Sequence, residues 1–243
     1  MNIPTLLNIQ IDFARLEGWA STFVQGSITT LALSFIAVVI GVIIALVLTS
    51  MRRSNFKILS LLSKTYVLVV RGTPMMLQLM IWLYAFPYIG MKLPEMPLFG
   101  DVYGSREFLT AVVALGLNSG AYVSEIFRSG LESVDVGQTE AARSLGMSKR
   151  QTMRRIVFPQ ALKTVMPSLG NEFISMIKES SIVSIVGVFD LMYTYTIIKS
   201  STYAVFEPLI IAGLIYLFLT TILTVSLNKI ERNLDVTHKN KAA

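Results

Sequence analysis

Apolar runs long enough to cross a bilayer alternate along this chain with short polar or basic connections. The first, Ile28 to Leu48, has 21 residues and no charge; a crossing helix needs about 20. The pattern predicts a first span over residues 22–50, entered from a mixed segment, residues 1–21, that reads as an interfacial helix. A basic connection follows, Met51-Arg52-Arg53-Ser54-Asn55-Phe56-Lys57, then an amphipathic stretch through Lys64 to Val70. Arg71-Gly72-Thr73-Pro74 breaks that stretch, and Pro74 can open the next helix because its missing N–H is unneeded there. Further spans are predicted over 74–89, 108–127, 168–189 and 209–227. A loop rich in proline and glycine occupies 90–107, and a turn with a short helix occupies 190–201. In the third span Gly116 and Gly120 stand four apart, a spacing that lets two helix backbones approach closely. The reading is an all-α membrane protein of about five transmembrane helices, a single domain over residues 1–243 with one long polar connection at 128–167.

Composition agrees with that class. Of 243 residues, 53% are hydrophobic and only 15% charged, where a soluble domain carries about 25%; the mean hydropathy is +0.62. The net charge of +6 does not point to nucleic acid, because 16 of the 21 Lys and Arg lie in three regions: the connection after span one, the long connection and the tail. All three fall on one side if the N-terminus is outside and the C-terminus cytoplasmic, as the positive-inside rule requires. No cleavable signal is evident, and the first run is expected to persist as a span. Cysteine is absent and the one histidine, His238, lies in the tail, so thiolate and Ser-His chemistry are excluded. The twelve methionines, with no His or Cys beside them, are assigned to packing, and no metal site is expected. No Gly-Lys dipeptide occurs, so the phosphate-cradling P-loop is missing; the chain is not expected to be an enzyme.

The long connection is more ordered than a tether needs. Asp135 with Gln138 three residues on resembles a capping box. The helix it opens runs through Thr139-Glu140-Ala141-Ala142-Arg143 and stops at Gly146, which can take the left-handed conformation. Ser148 caps a second helix, Lys149 to Val157, which Pro159 is expected to end. Ala141 and Ala142 give the first helix a thin flank able to enter a groove. A helix-turn-helix with Arg154-Arg155 is the rival reading, but that fold needs a third helix for its core, and this unit is held against a membrane.

Glu140-Ala141-Ala142, Gly146, Ile156 and Pro159, with Gln138 ahead and Gln160-Ala161 behind, resemble the EAA signature of permease subunits of ATP-binding-cassette importers. Phe158 stands where leucine is usual. Arg71-Gly72-Thr73-Pro74, Asn171-Glu172 and Lys178-Glu179-Ser180-Ser181 resemble the polar amino-acid branch. The resemblance extends from about Gly18 to Leu227 and implies a type I, MetI-like architecture in a bacterial inner membrane. It implies that Gln138, Glu140, Ala141, Ala142 and Gly146 form a coupling helix docked on a dimer of separate ATPase subunits, which bind the ATP and magnesium. It further implies a second permease subunit, identical or related, and an extracytoplasmic substrate-binding protein.

A carboxylate at mid-membrane costs roughly 2.5–3.5 kcal/mol on insertion scales, so Glu172, Lys178 and Glu179 need a reason to be there. Seven apart, Glu172 and Glu179 share a helix face, and intramembrane acids usually face a bundle interior or a water-filled cavity. Two carboxylates on one cavity face suit an α-ammonium or a cationic side chain. Ser180 and Ser181 are candidate hydrogen-bonding neighbours, Asn118, Ser119 and Glu125 on the third span are candidates to line the same cavity, and internal pairing of an acid with Lys178 is the alternative. Arg71 reads as an interfacial anchor, with a gate residue as the alternative, Asp190 as a group by the outer mouth, and Glu125 as a charge near the cytoplasmic edge. A secondary carrier using Glu179 for proton coupling is the rival function, although five spans do not divide into two inverted repeats.

Overall fold

The computed structural model describes residues 12–94 and 106–239, with side chains through residue 232; His238 and most of the predicted loop at 90–107 lie outside the described residues or side chains. Among the described residues every regular element is helical. Three helices are long and apolar enough to cross a membrane unbroken: α1 (Ala20–Arg52), α5 (Arg106–Glu132) and α10 (Phe206–Lys239). Two more crossings are bent pairs, which brings the number of candidate spans to as many as five.

Helices α1 and α5 pack closest because small residues line their contact. A Cβ on Gly116 would lie 2.8 Å from Ile40 Cγ2, one on Gly120 would lie 2.6 Å from Ile44 Cγ2, and one on Gly41 would lie 2.7 Å from Ser119 Oγ. The glycine pair expected to bring two backbones together does so. Around this contact Leu33, Ala37, Ala111, Ala114 and Leu115 form the main core with Leu79 and Met176. A second cluster joins Leu16 and Phe23 to Leu191, Ile198 and Ala212.

The first bent pair is α2 (Lys57–Gly72) followed by α3 (Met75–Met80), a π-helical turn (Ile81–Ala85) and α4 (Phe86–Tyr88), with a change of direction of 106°. Thr73 sits in the extended region, as a residue before proline must. The carbonyls freed at the bend are met by Gln78, whose Nε2 donates to Val70 O at 2.7 Å and Thr73 O at 3.1 Å.

The second bent pair corrects the sequence reading. After α6 (Val136–Ser144) the chain enters α7 (Lys149–Thr152), a π-helical turn (Met153–Val157) and α8 (Phe158–Glu179) with no intervening loop. Pro159 does not end a helix; it stands in the first turn of α8, and Pro167 lies inside it. In the wide turn Phe158 N–H donates to Met153 O, five residues back. A proline ring collides with the carbonyl four residues back in a regular helix, and a π turn displaces that carbonyl. The same device precedes Phe86-Pro87, where Phe86 N–H donates to Ile81 O. Beyond Glu179 the predicted span narrows to a 3-10 helix (Ser180–Val186), stops at Gly187 with φ +85°, and turns 43° into α9 (Leu191–Thr202).

Replacing Gly120 by valine is expected to destabilise the fold by about 1–3 kcal/mol, the usual cost of overpacking a tight contact. Thermal unfolding of the purified chain in detergent measures it, and an unchanged midpoint would refute the close approach of α1 and α5.

Candidate translocation site and coupling surface

Helix α8 lays Glu172 against α5, where Glu172 Oε1 accepts a hydrogen bond from Ser119 Oγ at 2.9 Å. The carboxylate opens onto a cleft of about 480 Å3 lined by Arg71, Tyr122, Glu125, Asn171, Glu172 and Ser175, among others. Its polar walls come from α2, α5 and α8, and α2 is held beside α5 by Tyr66, whose hydroxyl donates to Leu117 O at 2.8 Å. Arg71 is therefore a wall of this cleft and no mere interfacial anchor. Its guanidinium lies 5.0 Å from the Tyr122 ring centroid and 4.0 Å from Glu125 Oε2.

Glu125 has more partners than its position near a helix end suggests. Arg52 Nη1 donates to it at 2.5 Å and Arg128 Nε at 2.7 Å, and Arg128 reaches on to Glu132 at 2.5 Å. This carboxylate, 16% exposed, ties the end of α1 to α5 and draws in Arg71 from α2. The spacing of Glu125, Arg128 and Glu132 on one face could have signalled part of this cluster. Arg52, 73 residues away, carried no local signal.

The other predicted contacts separate. Glu179, the last residue of α8, is exposed, and Lys178 beside it is exposed too; no ion pair joins Lys178 to either acid among the described residues. Ser181 is half-buried and donates to Lys178 O at 2.7 Å. Ser180 is wholly buried, donating to Ile177 O at 2.9 Å with Ser34 Oγ 3.4 Å away, so it fastens the 3-10 turn to α1. Asn118 is likewise buried and lines no part of the cleft. Both side chains are buried in the packing of the bundle, which residue type alone does not reveal. Asp190 is also wholly buried, capping α9 by accepting from Tyr193 N at 2.7 Å.

The helix pair is built as capped units, with one change. Asp135 Oδ1 accepts from Gly137 N at 2.6 Å and makes no reciprocal box with Gln138. The capping box lies at the second helix, where Gln151 N donates to Ser148 Oγ at 3.3 Å and Ser148 N donates to Gln151 Oε1 at 2.8 Å. At the end of α6, Met147 N–H donates to Ala142 O and Gly146 N–H to Arg143 O, a Schellman arrangement that Gly146 completes with φ +81°. Ala142 is 4% exposed, so it faces into the fold and cannot form an outward flank. Glu140 and Ala141 are exposed, and Val136 and Leu145 present apolar side chains at 69% and 84% exposure. Gln138 lines a second cleft, of about 700 Å3, with Gln160, Lys163, Asn171 and Glu231.

The whole arrangement, from α1 to α10, coincides with a known class. Residues 37–236 match the binding-protein-dependent transport system inner membrane component. The chain belongs to that family. It is 38% identical over 227 residues to the arginine transport system permease protein ArtQ of Bacillus subtilis, covering 93% of this chain and 98% of that one. It is 39% identical over 214 residues to a putative glutamine transport system permease protein GlnP of Rickettsia bellii, covering 88% and 93%. A crystal structure of an amino acid ABC transporter with histidines superposes with a TM-score of 0.85 at 42% identity, over 93% of this chain and all of that one. The fold is that of a type I importer permease, an inner-membrane component, and the family gives no support to a proton-coupled carrier.

Replacing Glu125 by alanine leaves Arg52 and Arg128 without their shared acceptor and is expected to lower stability by about 1–3 kcal/mol. Glu132→Ala, at a side chain 62% exposed, is expected to change it by less than about 1 kcal/mol. Equal thermal shifts for the two variants would contradict the central place of Glu125.

Proposed function

We propose that this permease chain conducts a polar or cationic amino acid inward, driven by ATP that a separate ATPase hydrolyses. Two copies, or one copy and a close relative, enclose the pathway, and a binding protein outside the membrane delivers the substrate. The N-terminus lies outside and the C-terminus in the cytoplasm, on the side of the basic connections. ATP and magnesium belong to the ATPase pair; this chain contributes the pathway and the lever.

The observation that carries the reading is the α6–α7 unit. A helix closed at one end by Asp135 and at the other by Gly146 holds its shape under load, and it presents Val136, Ala141 and Leu145 outward. Such a surface suits a groove on a partner. The buried Ala142 lets α6 lie close on the helix that continues into the membrane, so displacement of α6 is passed to α8. Glu172 then supplies an anionic group at a cleft large enough for an amino acid. The relatives named for arginine and glutamine transport support the substrate class, since an α-ammonium is common to both and a guanidinium to one.

Reconstitution in liposomes with the ATPase and binding protein tests each part. Ala141→Trp obstructs the outward surface, and Gly146→Pro cannot adopt a positive φ. Each is expected to lower uptake at least tenfold and to abolish stimulation of ATP hydrolysis by the loaded binding protein. Normal uptake with normal stimulation would overturn the coupling role. Glu172→Gln keeps an acceptor for Ser119 but removes the charge. It is expected to reduce arginine uptake about tenfold while substrate-stimulated hydrolysis persists; unchanged uptake would remove Glu172 from the pathway.

A further inference from the structure

A further polar cavity, of about 450 Å3, lies where the end of α1 meets α2 and α5 and shares only Arg128 with the lining of the Glu172 cleft. Its lining includes Thr49, Arg52, Arg53, Lys64, Arg128 and Glu132. Arg52 and Arg128 are held by Glu125 and Glu132. Arg53 and Lys64 make no ion pair among the described residues, so the cavity keeps two positive charges without a counter-ion.

Thr49 supplies an independent sign. Hydroxyls elsewhere on α1 turn back onto the carbonyl four residues earlier: Ser27 onto Phe23 O, Ser34 onto Thr30 O and Ser50 onto Leu46 O. The Thr49 hydroxyl is buried with no hydrogen-bond partner, although a buried O–H without an acceptor is disfavoured. Ser63 and Ser124 at the same cavity already donate, to Leu48 O and Ala121 O, and can only accept. A ligand that fits must take a hydrogen bond from Thr49, carry negative charge for Arg53 and Lys64, and offer hydroxyls to the two serines.

The surroundings decide its source. Along α2, Ile58, Leu61, Leu62 and Leu68 are 55–74% exposed, and Leu46 and Val47 on α1 are 55% and 56% exposed. Such apolar surface beside a cationic cavity at a span end is where acyl chains lie below a lipid headgroup. We propose that this cavity binds the phosphate of an anionic, hydroxyl-bearing phospholipid of the phosphatidylglycerol type, from the leaflet that faces the coupling helix.

The test uses the full chain, with its ATPase partner where they co-purify, in an uncharged detergent. Short-chain phosphatidylglycerol, short-chain phosphatidylcholine and inorganic phosphate are titrated separately, reading thermal stability and lipid retained in native mass spectrometry. Phosphatidylglycerol is expected to raise the unfolding midpoint and remain bound, and phosphatidylcholine to do neither. Arg53→Gln and Lys64→Gln should each raise the half-saturating concentration at least tenfold, and Thr49→Val about threefold, with Lys57→Gln as the control of equal charge loss outside the cavity. Without lipid, Thr49→Val should unfold no earlier than the parent chain, which establishes that the variant folds. An equal loss in Lys57→Gln would mean diffuse attraction and would overturn the site. Stabilisation by inorganic phosphate at the same concentration would overturn the lipid as its occupant.

Discussion

The contact between α1 and α5 is the constraint on which the remaining geometry depends. Lipid tails give two apolar helices no hydrophobic reason to associate, so close packing and polar contacts must hold them. Here three glycines remove the side chains that would keep the backbones apart. Ser119, which fills the space left by Gly41, also donates to Glu172 on α8. The contact that joins the first two long helices thus fixes the acid that faces the cleft. At the other end of α5, Glu125 gathers guanidinium groups from α1, from α5 and, more loosely, from α2.

Two polar regions with different physics result. Near the Glu172 cleft, charge is exposed to a cavity, with Glu172 standing outside the cluster that Glu125 gathers. At the connection between spans three and four, backbone hydrogen bonds are closed by caps, and the exposed side chains include apolar ones. The first arrangement suits transient contact with a charged solute; the second suits durable contact with another protein. Membership of a binding-protein-dependent transport family gives both a place in one activity.

Much of this was legible in the sequence because the signals were local. Run length and the Gly116–Gly120 spacing indicated crossings and close approach, and the Glu140 to Pro159 block indicated the helix pair and the family. Glu172 was legible as well, since a carboxylate in an apolar run needs a reason. What failed depended on distant partners or on which way a side chain turned. Ser180 and Asn118 look like ligand groups by type, yet packing against neighbouring helices buries them. Arg71 has its place at the cleft from Glu125 and Tyr122 on α5, partners some fifty residues away in the chain that no local pattern signals. Pro159 reads as a terminator because a proline inside a helix removes a hydrogen bond and crowds the preceding turn, and the chain accommodates it by a change of hydrogen-bond register at Met153–Val157.

That change of register has a mechanical meaning. From Lys149 to Glu179 the backbone is one uninterrupted helical shaft with a slack coil at Met153–Val157. No loop stands between Thr152 and Glu172 to absorb a push. Successive residues on a helix point about 100° apart, so tightening that coil by one residue would spin the shaft beyond it by a comparable angle. Glu172, two turns short of its far end, would swing away from Ser119, turning a small axial thrust into a change of what the cleft displays.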